Sequence, residues 1–145
     1  MPYWMQRLAG LVVRPHYEVS VGALILNEHS QLLLCYHTYR REFPWGMPGG
    51  DLQPGEDPAE AIRRELWEET GFRAAEVELL LVENSKQFHH VSFTYVCRGV
   101  SGQFVPNDEV VRVEYFDLTA LPPFLPAQRV TIDRALELLG LAPTP

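Results

Sequence analysis

Cysteine is scarce in this chain: two residues, Cys35 and Cys97, among 145. They have no C-x-x-C spacing, and each sits in a strand-like run. No disulfide scaffold is expected; both read as buried free thiols, which fits a reducing cytoplasm. Positive charge is also short. Twelve basic residues against nineteen acidic ones leave a formal charge of −7. That disfavours a bulk grip on duplex nucleic acid or on an anionic membrane, while leaving room for a local basic pocket. No apolar run approaches the roughly 20 residues of a membrane helix. The opening "MPYWMQRLAGLVVRP" is broken by Gln6 and Arg7 and lacks the long apolar core of a signal peptide. Internal repeats and low-complexity tracts are missing too.

What is present suits one soluble domain. The apolar fraction is 46%, ordinary for a globular chain, and 145 residues can enclose a proper core. We expect a single domain over residues 1–145. Residues 1–16 form an N-terminal extension in which Trp4, Leu8, Leu11 and Val12 keep helical spacing, weakened by Gly10, and pack on the domain or on a second subunit. A homodimer is therefore an expected partner state. Residues 141–145 form a tail, whose "APTP" frays.

Between these ends the pattern alternates. "EVSVGALIL" (18–26) and "QLLLCYH" (31–37) read as a hairpin around the turn residues "NEHS". "TYRREFPWGMPGG" (38–50) reads as a loop. Asp57 as cap, Pro58 at the first position, Glu60 in capping-box position and Gly71 as the stop predict a helix over 58–70. "VELLLVE" (77–83) reads as a buried strand. "VSFTYVCRG" (91–99) alternates as a half-buried one, and "VVRVEYFDL" (110–118) is a further strand. After the proline-rich "LPPFLP", a second helix runs to Gly140, with Ile132, Ala135, Leu136 and Leu139 on one side. Hairpin strands and mixed connections predict a mixed sheet with helices on both faces.

The first helix carries three carboxylates, Glu65, Glu68 and Glu69, close to its end. At about 100° per residue they form one stripe beside an apolar stripe of Ala59, Ile62, Leu66 and Thr70. Like charges one turn apart repel by roughly 0.2–0.5 kcal/mol per pair. Arg64, four residues before Glu68 and four after Glu60, is spaced to orient a carboxylate. A hard divalent cation such as Mg²⁺, which takes oxygen ligands, would relieve the repulsion, neutralise phosphate charge and lower the pKa of a bound water. The competing reading is a solvated acidic face.

The wider stretch decides between these. From Gly50 to Phe72 the chain reads "GDLQPGEDPAEAIRRELWEETGF". This resembles the box of the Nudix (MutT-like) hydrolases at every position: Gly50, Glu56, Arg64, Glu65, Leu66, Glu68, Glu69, Gly71 and Phe72. Seven fixed letters make a chance match on the order of 10⁻⁸ to 10⁻⁹ per start point. The box covers 23 of 145 residues, and the strand order on either side looks like that family's domain.

The resemblance implies an α/β/α sandwich with a mixed β-sheet between helices. It also implies a Mg²⁺- or Mn²⁺-dependent enzyme that hydrolyses phosphoanhydride bonds in nucleoside diphosphate-linked compounds. It implies Glu65, Glu68 and Glu69 as metal ligands, joined by the Gly50 carbonyl, with Arg64 orienting the cluster and Glu56 in a supporting place. A further acid outside the box is expected before a late strand. Of Asp108, Glu109 and Glu114 we favour Glu109, against its reading as a solvated loop acid; Glu114 is then free to pair with a basic residue. The water's general base stays open among Glu109, Glu68 and Glu69.

Arg40 and Arg41 are candidates to hold a distal phosphate, against solvated arginines. Trp45, Phe43 and Phe88 are candidates to stack on a base, against packing of the loop. Phe88 stands where ADP-ribose-hydrolysing members often carry a proline. A nucleoside triphosphate pyrophosphohydrolase of the nucleotide-sanitising type is the nearest alternative activity. A non-catalytic nucleotide-binding module is an alternative of another class, and such modules usually lose box carboxylates that this chain retains.

Overall fold

The computed structural model describes residues 1–141. From residue 142 on, the expected tail lies outside the described residues. The elements run α1 (Tyr3–Val13), β1 (Glu18–Leu24), β2 (Leu32–His37), β3 (Trp45–Gly46), β4 (Gly49–Asp51), α2 (Pro58–Thr70), β5 (Arg73–Ser85), β6 (His90–Ser101), β7 (Val110–Phe116) and α3 (Pro126–Leu138).

The strands divide between two sheets, ordered β4-β1-β6-β5 and β3-β2-β7. The first is mixed, since β1 runs parallel to β6 and antiparallel to β4. The second is antiparallel. Strand period puts alternate side chains on opposite faces, and that period builds the layers. Val21, Ala23, Ile25 and Leu33 join Ala61, Ile62 and Leu66 of α2 in one core. Leu24, Leu32 and Leu34 join Ile132, Ala135 and Leu136 of α3 in the other. The expected α/β/α sandwich is therefore present, with a mixed sheet inside it.

Four expectations need correction. The 18–37 hairpin keeps its turn, with Asn27 Oδ1 accepting from the His29 and Gln31 amides. Its strands then part, because both edges of β1 are taken by β4 and β6 and both edges of β2 by β3 and β7. The 38–50 loop contains β3 and part of β4, short strands that exist only through their partners. β5 is not buried: it is the outer strand of its sheet, and Leu79 and Val82 are about half exposed. β6 does not alternate: as an interior strand between β1 and β5 it buries Thr94, Tyr95, Val96 and Cys97 in succession.

α1 forms as spaced; the side chain of Val12 lies outside the described residues, and the other three of the expected apolar set face outward. Trp4 is 61% exposed, Leu8 54% and Leu11 61%. Cys35 and Cys97 are free and buried. Burial pushes the Cys97 thiol up to about 11 and the Cys35 thiol higher still, so both stay unreactive. Among the described residues no helix is long and apolar enough to cross a membrane.

α2 has the ends its sequence predicts. Asp57 Oδ1 accepts the Ala59 amide hydrogen at 2.8 Å, and Gly71 closes the helix at φ 79° by donating to the Trp67 carbonyl. The cap is one-sided among the described residues: Glu60 returns no bond to Asp57.

Candidate active site

α2 runs under the short strand β4, so its acidic stripe meets the glycine pair at 49 and 50. The three carboxylates have three different environments. Glu69 points inward and is 3% exposed. Its Oε1 accepts the Gly49 amide hydrogen at 2.7 Å, and its Oε2 lies 2.9 Å from His37 Nε2 at the end of β2. Glu65 is largely covered and faces Gly50, where a Cβ would lie 2.5 Å from Glu65 Oε1. Glu68 is about half exposed.

Arg64 ties this cluster together. Its Nε and Nη2 fork onto Glu56 at 2.7 and 3.0 Å. Nη1 reaches Glu65 Oε1 at 2.9 Å and Glu68 Oε2 at 3.1 Å, while Nη2 also donates to the Asp51 carbonyl. The i,i+4 pair with Glu68 is as spaced. The pair that spacing offers with Glu60 is replaced by Glu56, because the loop before the helix folds back over the guanidinium. Arg63, adjacent in sequence, points the other way and donates to the Ala74 carbonyl at 2.6 Å, fastening α2 to β5.

The electrostatics follow from this geometry. The Arg64 hydrogen bonds hold the Glu56 carboxyl below its ordinary range. Burial raises Glu65, with the Glu69 and Glu68 charges acting in the same direction and Arg64 opposing them. The Arg64 guanidinium is held more firmly cationic by Glu56 and Glu65.

Among the described residues no three His, Cys, Asp or Glu side chains stand as a ready metal cluster. The donor set still suits a hard divalent cation. It offers carboxylate and carbonyl oxygens only, and the missing side chain at Gly50 leaves room against the covered Glu65 carboxylate.

A cavity of about 1040 Å³ opens beside these groups. Gly49, Gly50 and Glu65 line it. Ser20 and Ser92, paired across β1 and β6, and Gln128, Thr131 and Arg134 of α3 line it too. Arg40 and Glu109 border it as well. Arg40 Nη1 is buried without a hydrogen-bond partner among the described residues, and a Cβ at Gly46 would collide with it. Glu109 directly precedes β7. Its carbonyl accepts the Thr38 amide hydrogen, and Asn107 Oδ1 accepts the amides of Glu109 and Val110.

The remaining candidates lie elsewhere. Arg41 is exposed and does not line the cavity. Trp45 packs edge-on against Tyr36 and Phe116, with ring centroids 5.3 and 4.9 Å away. Phe88 is 68% exposed at the β5–β6 turn. Glu114 pairs with Arg112 at 2.8 Å on an open face.

Two residues escaped the sequence reading. His37 is fully buried against Glu69; its signal was a polar residue continuing the Leu33, Cys35 side of an apolar strand. Asn107 donates to the Glu69 carbonyl at 2.9 Å and so joins the turn before β7 to the end of α2. An Asx residue two before Glu109 was the available sign.

Known proteins share both the sequence and the fold. The NUDIX domain family model matches residues 16–136. An ADP-ribose pyrophosphatase of Methanocaldococcus jannaschii is 30% identical over 111 residues, 74% of this chain and 66% of that protein. An RNA pyrophosphohydrolase of Bartonella henselae is 33% identical over 96 residues, 61% of this chain; the match spans about half, 53%, of that relative's length. Among solved structures, a MutT NUDIX hydrolase from Burkholderia pseudomallei superposes with a TM-score of 0.72 at 29% identity, covering 86% of this chain and 99% of that one.

Proposed function

The chain belongs to the NUDIX-domain family of hydrolases, and on that premise we propose that it cleaves the phosphoanhydride bond of nucleoside diphosphate-linked compounds. The products would be a nucleoside monophosphate and a phosphorylated remainder. The observation that carries this reading is that Glu69 and Glu65 meet Gly49 and Gly50, while Arg64 bonds Glu65 and Glu68 together, beside a cavity of about 1040 Å³. The likeness to an ADP-ribose pyrophosphatase supports the same class.

Glu65, Glu68, Glu69, Glu109 and the Gly50 carbonyl are the proposed ligands of Mg²⁺ or Mn²⁺. Held there, the ion would neutralise phosphate charge and lower the pKa of an attacking water. The chain's own groups do the rest. Arg64 fixes the rotamers of Glu65 and Glu68. Gly50 keeps the approach to Glu65 clear. Arg40 borders the cavity, and its guanidinium is the proposed partner of a phosphate oxygen. The water's proton passes to Glu68 or Glu109 in preference to Glu69, whose two oxygens already accept hydrogen bonds. The two buried free thiols support a reducing, cytoplasmic location.

The test is a panel of ADP-ribose, UDP-sugars and nucleoside triphosphates with Mg²⁺ and with Mn²⁺, with products identified. Monophosphate plus a phosphorylated remainder is the expected outcome. Inorganic pyrophosphate from triphosphates alone would favour the nucleotide-sanitising activity. Binding without turnover across the whole panel would favour a non-catalytic module.

A further inference from the structure

His37 ends β2 on the face that Leu33 begins, and strand period carries it over the last turn of α2. It is fully buried there, against an almost fully buried Glu69. A carboxylate only accepts hydrogen bonds, so His37 Nε2 donates to Glu69 Oε2 across the 2.9 Å contact. Gly49 donates its amide hydrogen to the other oxygen at 2.7 Å. Glu69 is thus gripped by donors from β2 and β4, one in each sheet. Glu65 and Glu68 have a different arrangement, receiving hydrogen bonds from the shared Arg64. The β2 end is itself fixed, because the His37 amide donates to the Pro44 carbonyl at 2.7 Å.

We propose that His37 is a positioning residue for the active site. By holding Glu69 Oε2, it sets the direction of that carboxylate's remaining lone pairs. Through the Gly49 bond it also sets the distance of the glycine strand from α2. This rests on the reading that Glu69 serves a divalent cation. Outer partners of metal-binding carboxylates commonly matter roughly ten- to a hundredfold in affinity or rate. A residue that merely filled the core could be replaced by an apolar side chain of similar volume without that loss.

The test compares wild type with His37→Leu, which removes the donor, and His37→Gln, which offers an amide donor in its place. Mn²⁺ affinity is read by electron paramagnetic resonance and folding by thermal melting. Leucine should weaken Mn²⁺ binding by roughly ten- to a hundredfold, and glutamine should recover most of it. A folded leucine variant that binds Mn²⁺ as tightly as wild type would overturn the inference. So would equal losses in both variants in step with equal falls in melting temperature. A second reading needs no variant. In the wild type, the imidazole nitrogen resonances of His37 should shift on adding Mg²⁺ while those of exposed His29 do not; an unmoved His37 in a protein that binds Mg²⁺ would overturn it. A wild type that binds neither cation would overturn the metal reading first, and this inference with it.

Discussion

At the scale of single residues, the site is a set of charges held by fixed partners, and each partner has a measurable effect. Glu65→Gln and Glu68→Gln each remove a charge while preserving side-chain shape. Each is expected to lower turnover by roughly 10²-fold or more with little change in melting temperature; steady-state kinetics beside a thermal melt checks this. Glu56 gives a prediction in pH. Arg64 holds its carboxyl below the ordinary value of 4.5, so the pair stabilises the fold above that value. The contribution disappears as pH falls through the lower folded value. Glu56→Gln should therefore melt below wild type at pH 7, and the gap should close on acidification. Glu65 works the other way: burial raises it, so protonation on acidification relieves a cost.

Much of this scale was legible before the fold was known. The helical phase of Glu65, Glu68 and Glu69, and the reach of Arg64 to Glu68, follow from position alone. The grip of His37 on Glu69 does not, because 32 residues separate them and only the meeting of β2 with α2 brings them together. Trp45 shows the same limit. An aromatic residue beside a glycine-rich loop leaves base stacking and loop packing both open, and only the pairing of β3 with β2 beside β7 brings Tyr36 and Phe116 against its ring.

At the scale of elements, α2 is the most clearly signalled piece of the chain because its ends are encoded locally. Asp57→Ala deletes the cap bond and should cost about 1 kcal/mol, seen as a fall of several degrees in melting temperature. Gly71→Ala should cost at least as much. The residue sits at φ 79°, and a Cβ there would lie 2.8 Å from the Gln103 carbonyl. The short strands β3 and β4 are the least signalled. Two or three residues carry no period; they become strands by pairing with β2 and β1. The exposure of β5 was hidden for a related reason, since an apolar run does not say whether it will be an inner strand or an outer one.

At the scale of the molecule, two sheets share their faces between α2 and α3, and the site lies where β4, the end of β2 and the start of β7 meet α2. The alternation of β1 and β2 made the layered class readable. The division into two sheets depends on which edges pair, and that is a global choice. Among the described side chains, none of α1 joins either core. Removing residues 1–15 should move the melting temperature by no more than about 2 °C; a fall beyond about 5 °C would mean that the helix covers apolar surface in solution.

The proposed role of the α2 carboxylates is cation-dependent cleavage of a nucleoside diphosphate linkage. Its most direct test is the release of nucleoside monophosphate from ADP-ribose or a UDP-sugar, followed with and without Mg²⁺ for wild type and Glu65→Gln. Wild type should release monophosphate only with the cation, and the variant should be slower by roughly 10²-fold or more while still melting like wild type. Cation-independent release, or a Glu65→Gln protein that keeps wild-type turnover, would contradict that role.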